Sequence, residues 1–118
     1  MNNEIEAMNE LAEAVNQKRQ LQLLGLAQKA GDLVSGTDQV ILAIERKKAK
    51  LVVITEDTSE SSQKKLLNKC VHYNVPYTIF GTSMQLSQAL GKKRNVVALT
   101  NQGFKKSFLK TKGNTHMN

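Results

Sequence analysis

Gly36-Thr37-Asp38-Gln39 and Lys92-Lys93-Arg94 are the residues of this chain whose types and spacing suit a chemical task. A glycine at the start of a helix lets backbone approach a ligand closely. The first turn then aims N–H groups and the positive end of the dipole at an anion. Asp38 and Gln39 fall in that turn, facing out. A carboxylate accepts from guanine N1–H and N2–H2, and an amide both donates to and accepts from a purine edge. Gly91 hinges a basic triplet that runs through Asn95 into Val96. The triplet offers phosphate contacts, and Val96 reads as an apolar lip for an unstacked base. The two segments together suit a folded anionic polymer, and RNA is the partner they predict. Plainer accounts stand beside this one. Asp38 is equally explained by complementing the helix dipole, and the triplet by a solvated loop.

Nothing comparable points to catalysis. His72 and His116 are the only histidines, and no Cys/His cluster has metal-ligand spacing. Gly25, Gly31 and Gly36 are not gathered in one phosphate-binding turn. Glu56-Asp57 follows an apolar run, yet adjacent carboxylates without a base or metal partner read as a solvated, capping turn. The expectation is therefore no catalytic residue, no metal and no cofactor. Cys70, the sole cysteine, sits on an apolar helical stripe and reads as a core thiol. A lone cysteine forms no internal disulfide and fits a cytoplasmic protein. The start, Met1-Asn2-Asn3-Glu4, is unlike a secretory signal. No apolar run approaches the ~20 residues of a membrane span, so no membrane partner is expected.

Charge supports a polyanion partner. Residues 1–17 hold four acids (Glu4, Glu6, Glu10, Glu13) and no base, so the rest of the chain carries all 17 bases against six acids. Two Tyr, three Phe and no Trp are too few for a sheet that stacks bases. The expected ligand is structured RNA, read through edges, phosphates and shape.

The elements that must position these residues alternate in type. An amphipathic acidic helix is predicted over 4–16, with Ile5, Met8, Leu11, Ala12 and Val15 at helical spacing. A first core helix follows over 18–30 with Gly31 as its C-cap. Leu33-Val34 is a very short strand, and a second helix spans about 37–47. Arg46, Lys47 and Lys48 stand at its C-terminal end, where cations favour the dipole. Leu51–Ile54 reads as a buried strand, followed by a third helix over 60–73 with Leu66, Leu67, Cys70 and Val71 inward. Strands at 77–80 and 96–99 bracket a fourth helix that opens on a Thr82/Gln85 capping box and closes on Gly91. A terminal helix covers about 103–112, with residues 113–118 disordered. The division is thus an acidic extension (1–17), one α/β domain (18–112) with helices around a central sheet, and a tail.

These residues bear a family resemblance. Gly36–Val40, Ala49–Asp57, Cys70 with Val75-Pro76-Tyr77, Leu86–Gly91 and Arg94–Val97 occur in the order and spacing of the kink-turn RNA-binding ribosomal proteins of the L-seven-Ae and L-thirty-e type. The match extends over Leu21–Leu99. The opening Leu23–Gly31 and closing Gly103-Phe104 make it most similar to the small bacterial members. The resemblance implies a three-layer α-β-α sandwich with a four-stranded mixed sheet, no catalytic activity, and a ribosomal or related kink-turn RNA as ligand. It implies that Gly36 and Thr37 approach phosphates. Asp38 and Gln39 stand at the family's Asn and Glu positions, which read tandem G·A pairs. Gly91–Val96 would cover flipped nucleotides. The chain departs from the pattern at Asp38, at Gln39, at Leu42 (a Lys in the family) and at Leu86-Ser87 (usually Leu-Gly). Two other functions fit the same residues: an accessory domain in RNA modification, or a protein-interaction module that docks through the acidic helix.

Overall fold

Two unbroken apolar runs fix the centre of the molecule. Leu51–Ile54 and Val96–Leu99 are buried at all four positions each, as strands covered on both faces must be. The computed structural model describes residues 2–111. Its elements are α1 (Asn2–Lys29), β1 (Leu33–Ser35), α2 (Thr37–Glu45), β2 (Leu51–Ile54), α3 (Glu60–Tyr73), β3 (Tyr77–Ile79), α4 (Ser83–Leu90), β4 (Val96–Leu99) and α5 (Gln102–Thr111). The sheet order is β1-β4-β2-β3. β4 is antiparallel to both its neighbours, with Ser35 opposite Val97 and Ile54 opposite Val96, while β2 and β3 are parallel.

Strand alternation divides the interior in two. Val52, Ile54, Val96 and Ala98 pack with Val40 and Ile44 of α2 and Leu66 and Cys70 of α3. Leu51, Val53, Val97 and Leu99 pack with Leu24 and Ala27 of α1, Leu86 and Leu90 of α4, and Phe108 of α5. The result is the expected three-layer α-β-α sandwich around a four-stranded mixed sheet.

Local chemistry terminates the helices. After α1 the Asp32 N–H reaches the Ala27 carbonyl at 2.8 Å and Gly31 takes φ 80, a closure that favours a residue without Cβ. The same closure ends α2 and α3 on Lys47 (φ 60) and Asn74 (φ 58), with Lys48 N–H on Ala43 O and Val75 N–H on Cys70 O. Lys47 therefore lies outside α2, which stops at Glu45. Gly91 (φ 75) closes α4, which opens on the expected box: Thr82 Oγ1 accepts from Gln85 N–H, and Gln85 Oε1 accepts from Thr82 N–H at 2.9 Å.

Two expectations about helices change. Residues 4–16 and 18–30 are not separate helices: α1 is continuous, because no Pro or Gly interrupts residues 2–24. The change from acidic to basic at 17/18 is a charge boundary inside one helix. Val71 is 66% exposed, since it lies about 100° around the helix from Cys70. The tail at 113–118 lies outside the described residues.

Candidate nucleic-acid interface

The antiparallel pairing of β1 with β4 brings the exit of one strand beside the entry to the other. Gly36 N–H donates to Val96 O at 3.0 Å. Gly36 has φ 93 and ψ 145, a conformation that glycine adopts at least cost. A Cβ at this position would sit 3.8 Å from Arg94 Nε. The backbone angle therefore demands glycine here, and steric space does not. Gly36 is also the N-cap of α2. Its carbonyl accepts from Val40 N–H at 2.9 Å, and no side chain caps the helix. The first-turn N–H groups keep their capacity for an external acceptor.

Arg94 crosses from the loop to this helix start. Its Nε donates to Ser35 Oγ at 2.9 Å and its Nη1 to Lys93 O at 2.7 Å. Nη2 is left unengaged among the described residues. The arginine backbone is clamped by Ser87, whose Oγ accepts from Arg94 N–H at 3.0 Å and donates to Arg94 O at 3.1 Å. The β2–α3 turn holds the next residue: Asn95 O accepts from Thr55 N–H at 3.0 Å and from Thr58 Oγ1 at 3.3 Å. Loop 91–95 is thus tied to α4, β1 and the 55–58 turn together.

Around this fixed arginine the predicted side chains divide. Thr37 is half-buried; Asp38, Gln39, Lys92 and Lys93 are exposed. Among the described residues the one ion pair is Lys69–Glu45, at 2.7 Å, so no carboxylate neutralises the basic triplet. Leu42 is half-buried. Val96 is not an apolar lip. Its side chain is fully buried and joins Val40 and Ile44 in the core beneath α2. The reason is its place in β4, an inner strand covered on both faces. Ser35 and Thr55 escaped sequence reading because the residues they hold, Arg94 and Asn95, lie far along the chain. Ser87 had left one signal, its departure from the family's Leu-Gly.

Asp57 and Cys70 have structural roles. Asp57 accepts from Ser83 N–H at 2.9 Å and Ser83 Oγ at 2.8 Å, and these bonds hold its carboxyl below the usual range. Cys70 is fully buried, and desolvation pushes its thiol up to about 11. Among the described residues no group of three or more His, Cys, Asp or Glu could hold a metal ion. Among the described residues no helix is long and apolar enough to cross a membrane.

The model of the ribosomal protein L7Ae/L30e/S12e/Gadd45 family matches residues 18–109. The chain belongs to that family. It is a non-enzymatic family. Among curated relatives, "RNA-binding protein YlxQ" of Bacillus subtilis (strain 168) is 48% identical over 83 residues, 70% of this chain and 83% of that protein. A YlxQ of Enterococcus faecium with the same description is 36% identical over 91 residues, 77% of this chain and 88% of that one. A solved structure of a protein of unknown function from Bacillus halodurans C superposes with TM-score 0.75 at 34% identity, covering 79% of this chain and 95% of the other. The Giardia lamblia 15.5kD RNA binding protein shares the fold, with TM-score 0.68 at 19% identity and coverage of 82% and 85%.

Proposed function

We propose that this chain is a non-catalytic, cytoplasmic RNA-binding protein. Its ligand is a kink-turn, a bent RNA helix with tandem sheared G·A pairs, in ribosomal or related RNA. The observation that carries the reading is the meeting of Gly36 and Arg94 across the β1–β4 pair. Uncapped N–H groups and the dipole of α2 face a phosphate there. Asp38 and Gln39 read guanine and purine edges from the first turn. Arg94 Nη2, Lys92 and Lys93 neutralise the phosphates that a sharp bend brings together. Val96 contributes from beneath, as the core residue on which α2 rests. Asp38 and Gln39 differ from the family's Asn and Glu by one donor and one charge, and Leu42 lacks a cation. Selectivity for the G·A pairs is accordingly altered, while the phosphate contacts are kept. Family membership and the naming of relatives as RNA-binding proteins support the reading.

The test is titration of the protein with a kink-turn RNA and with a straight duplex of equal length, at several salt concentrations. Tighter binding of the kink-turn is expected, with log K falling by up to ~0.9 per phosphate contact per decade of salt. Equal affinities would remove shape recognition. Failure to bind either RNA would remove the function. Co-sedimentation with ribosomal subunits is expected, and its absence would separate the protein from the ribosome.

A further inference from the structure

The N-terminal half of α1 leaves the body of the molecule, which measures 50 Å in one direction and 28 and 27 Å in the others. It precedes the residues matched to the family, which begin at 18. Met8 and Leu11 are 69% and 67% exposed, and Val15 is 44% exposed. Helical geometry places them on the same face as Lys18, Gln22, Gly25 and Lys29 farther along α1. There the face forms one wall of a groove of about 890 Å³ between α1 and α4. Gly25 lies in its floor, with Ala89 O only 3.1 Å from where a Cβ would stand. Leu26 borders it, 56% exposed. One helix thus carries an unpartnered apolar stripe at one end and an unfilled groove at the other.

The stripe reads the same from both ends. Residues 4, 8, 11, 15, 18, 22, 25 and 29 follow spacings of four and three throughout, so they share one face of the helix. Its centre of symmetry lies between Asn16 and Gln17. Its charges are opposite about that centre. On the stripe Glu4 stands on one side of it, and Lys18 and Lys29 on the other. A groove and a ridge of opposite charge on one straight helix cannot meet within one chain.

We infer that the partner is a second copy of this chain, bound antiparallel through α1 about a two-fold axis at Asn16/Gln17. The axis sets Glu4 against the partner's Lys29 and Met8 over the partner's Gly25. It sets Leu11 against the partner's Gln22 and Val15 against the stem of the partner's Lys18. Each contact occurs twice, as an isologous interface requires. A parallel pair would instead set Glu4 against Glu4 and Lys29 against Lys29. The stripe residues belong to neither the 35–39 nor the 91–95 segment, and the groove meets the second of these only at Gly91.

Sedimentation equilibrium of the full chain, freed of nucleic acid, tests the pairing. The expected mass is twice the 13.1 kDa of one chain, and a single-chain mass at all concentrations overturns the proposal. Met8→Glu with Leu11→Glu alters exposed positions only. It is expected to give a single-chain mass with unchanged circular dichroism; a persisting dimer overturns the assignment to α1. Orientation is read by oxidation, to which buried Cys70 is closed. Leu11→Cys with Gln22→Cys is expected to form a covalent dimer, and Leu11→Cys alone is not. Cross-linking of Leu11→Cys alone to the same extent overturns the antiparallel arrangement. Lys29→Glu is expected to weaken the dimer and added Glu4→Lys to restore it; no restoration overturns the proposed register.

Discussion

α2 and α4 are short helices on opposite faces of the same sheet, and they begin in opposite ways. At the start of α4 the side chains of Thr82, Gln85, Ser83 and Asp57 are all committed. Thr82 and Gln85 exchange bonds, and Asp57 takes the Ser83 amide and hydroxyl. At the start of α2 there is only Gly36, with no side-chain cap. Glycine gives up little stability at this position relative to a capping residue, and it leaves donors unclaimed. The helix that is finished by its own sequence is structural. The unfinished helix lies beside a clamped arginine, which is the seat proposed for an anion.

Four perturbations break or sharpen this contrast. Arg94→Ala has the largest effect, on binding. Removing a charged donor costs about 1.5–3 kcal/mol, so affinity for the kink-turn is expected to fall about ten- to a hundredfold in filter binding or calorimetry. An unchanged affinity would detach the loop from the site. Gly36→Ala acts on the fold, with a loss of about 1–3 kcal/mol for a side chain held at φ 93. Urea unfolding measures it, and a variant as stable as the parent would refute the requirement for glycine.

Thr82→Ala should do the reverse of Arg94→Ala. Stability falls by about 1 kcal/mol with loss of the cap, while RNA affinity measured well below the unfolding transition is unchanged. A matching loss of affinity would mean that α4 belongs to the site. Ser83→Ala is the mildest change. It removes the hydroxyl bond that is the largest cause of the lowered Asp57 pKa, so this pKa should climb toward its ordinary 3.8 in an NMR titration. The folded-state value is depressed, so the stabilisation from ionised Asp57 is complete above the unfolded-state pKa. It disappears as pH falls through the folded-state value. The variant's deficit is therefore expected at neutral pH and absent in strong acid, and a deficit that persists in acid would assign it to another cause.

The legible parts of the chain were those whose cause is local. The Leu51–Ile54 run announces a strand buried on both faces, and Thr82 with Gln85 announces a helix start, because each needs only its neighbours. Gly36 was equally plain, since a turn before a helix favours a residue tolerant of positive φ. Val96 misled because it was read by its neighbours in the basic loop, whereas its burial is set by the strands on either side. Val71 reads as part of the inward face beside Cys70, although one residue of rotation takes it to solvent. Ser35 and Ser87 act on an arginine 59 and seven residues away, and no local pattern encodes such partners. The joined α1 was hidden by a sharp change in charge, which alters the surroundings of a helix without ending it.

The outer strand β3 has a wider consequence. It is three residues long, follows Pro76 and displays Tyr77 and Ile79 at 45% and 40% exposure. A brief strand behind a residue lacking an N–H is a poor template for an incoming chain. Molecules crowded along one polyanion would then resist sheet-to-sheet aggregation, even with apolar side chains displayed at that rim.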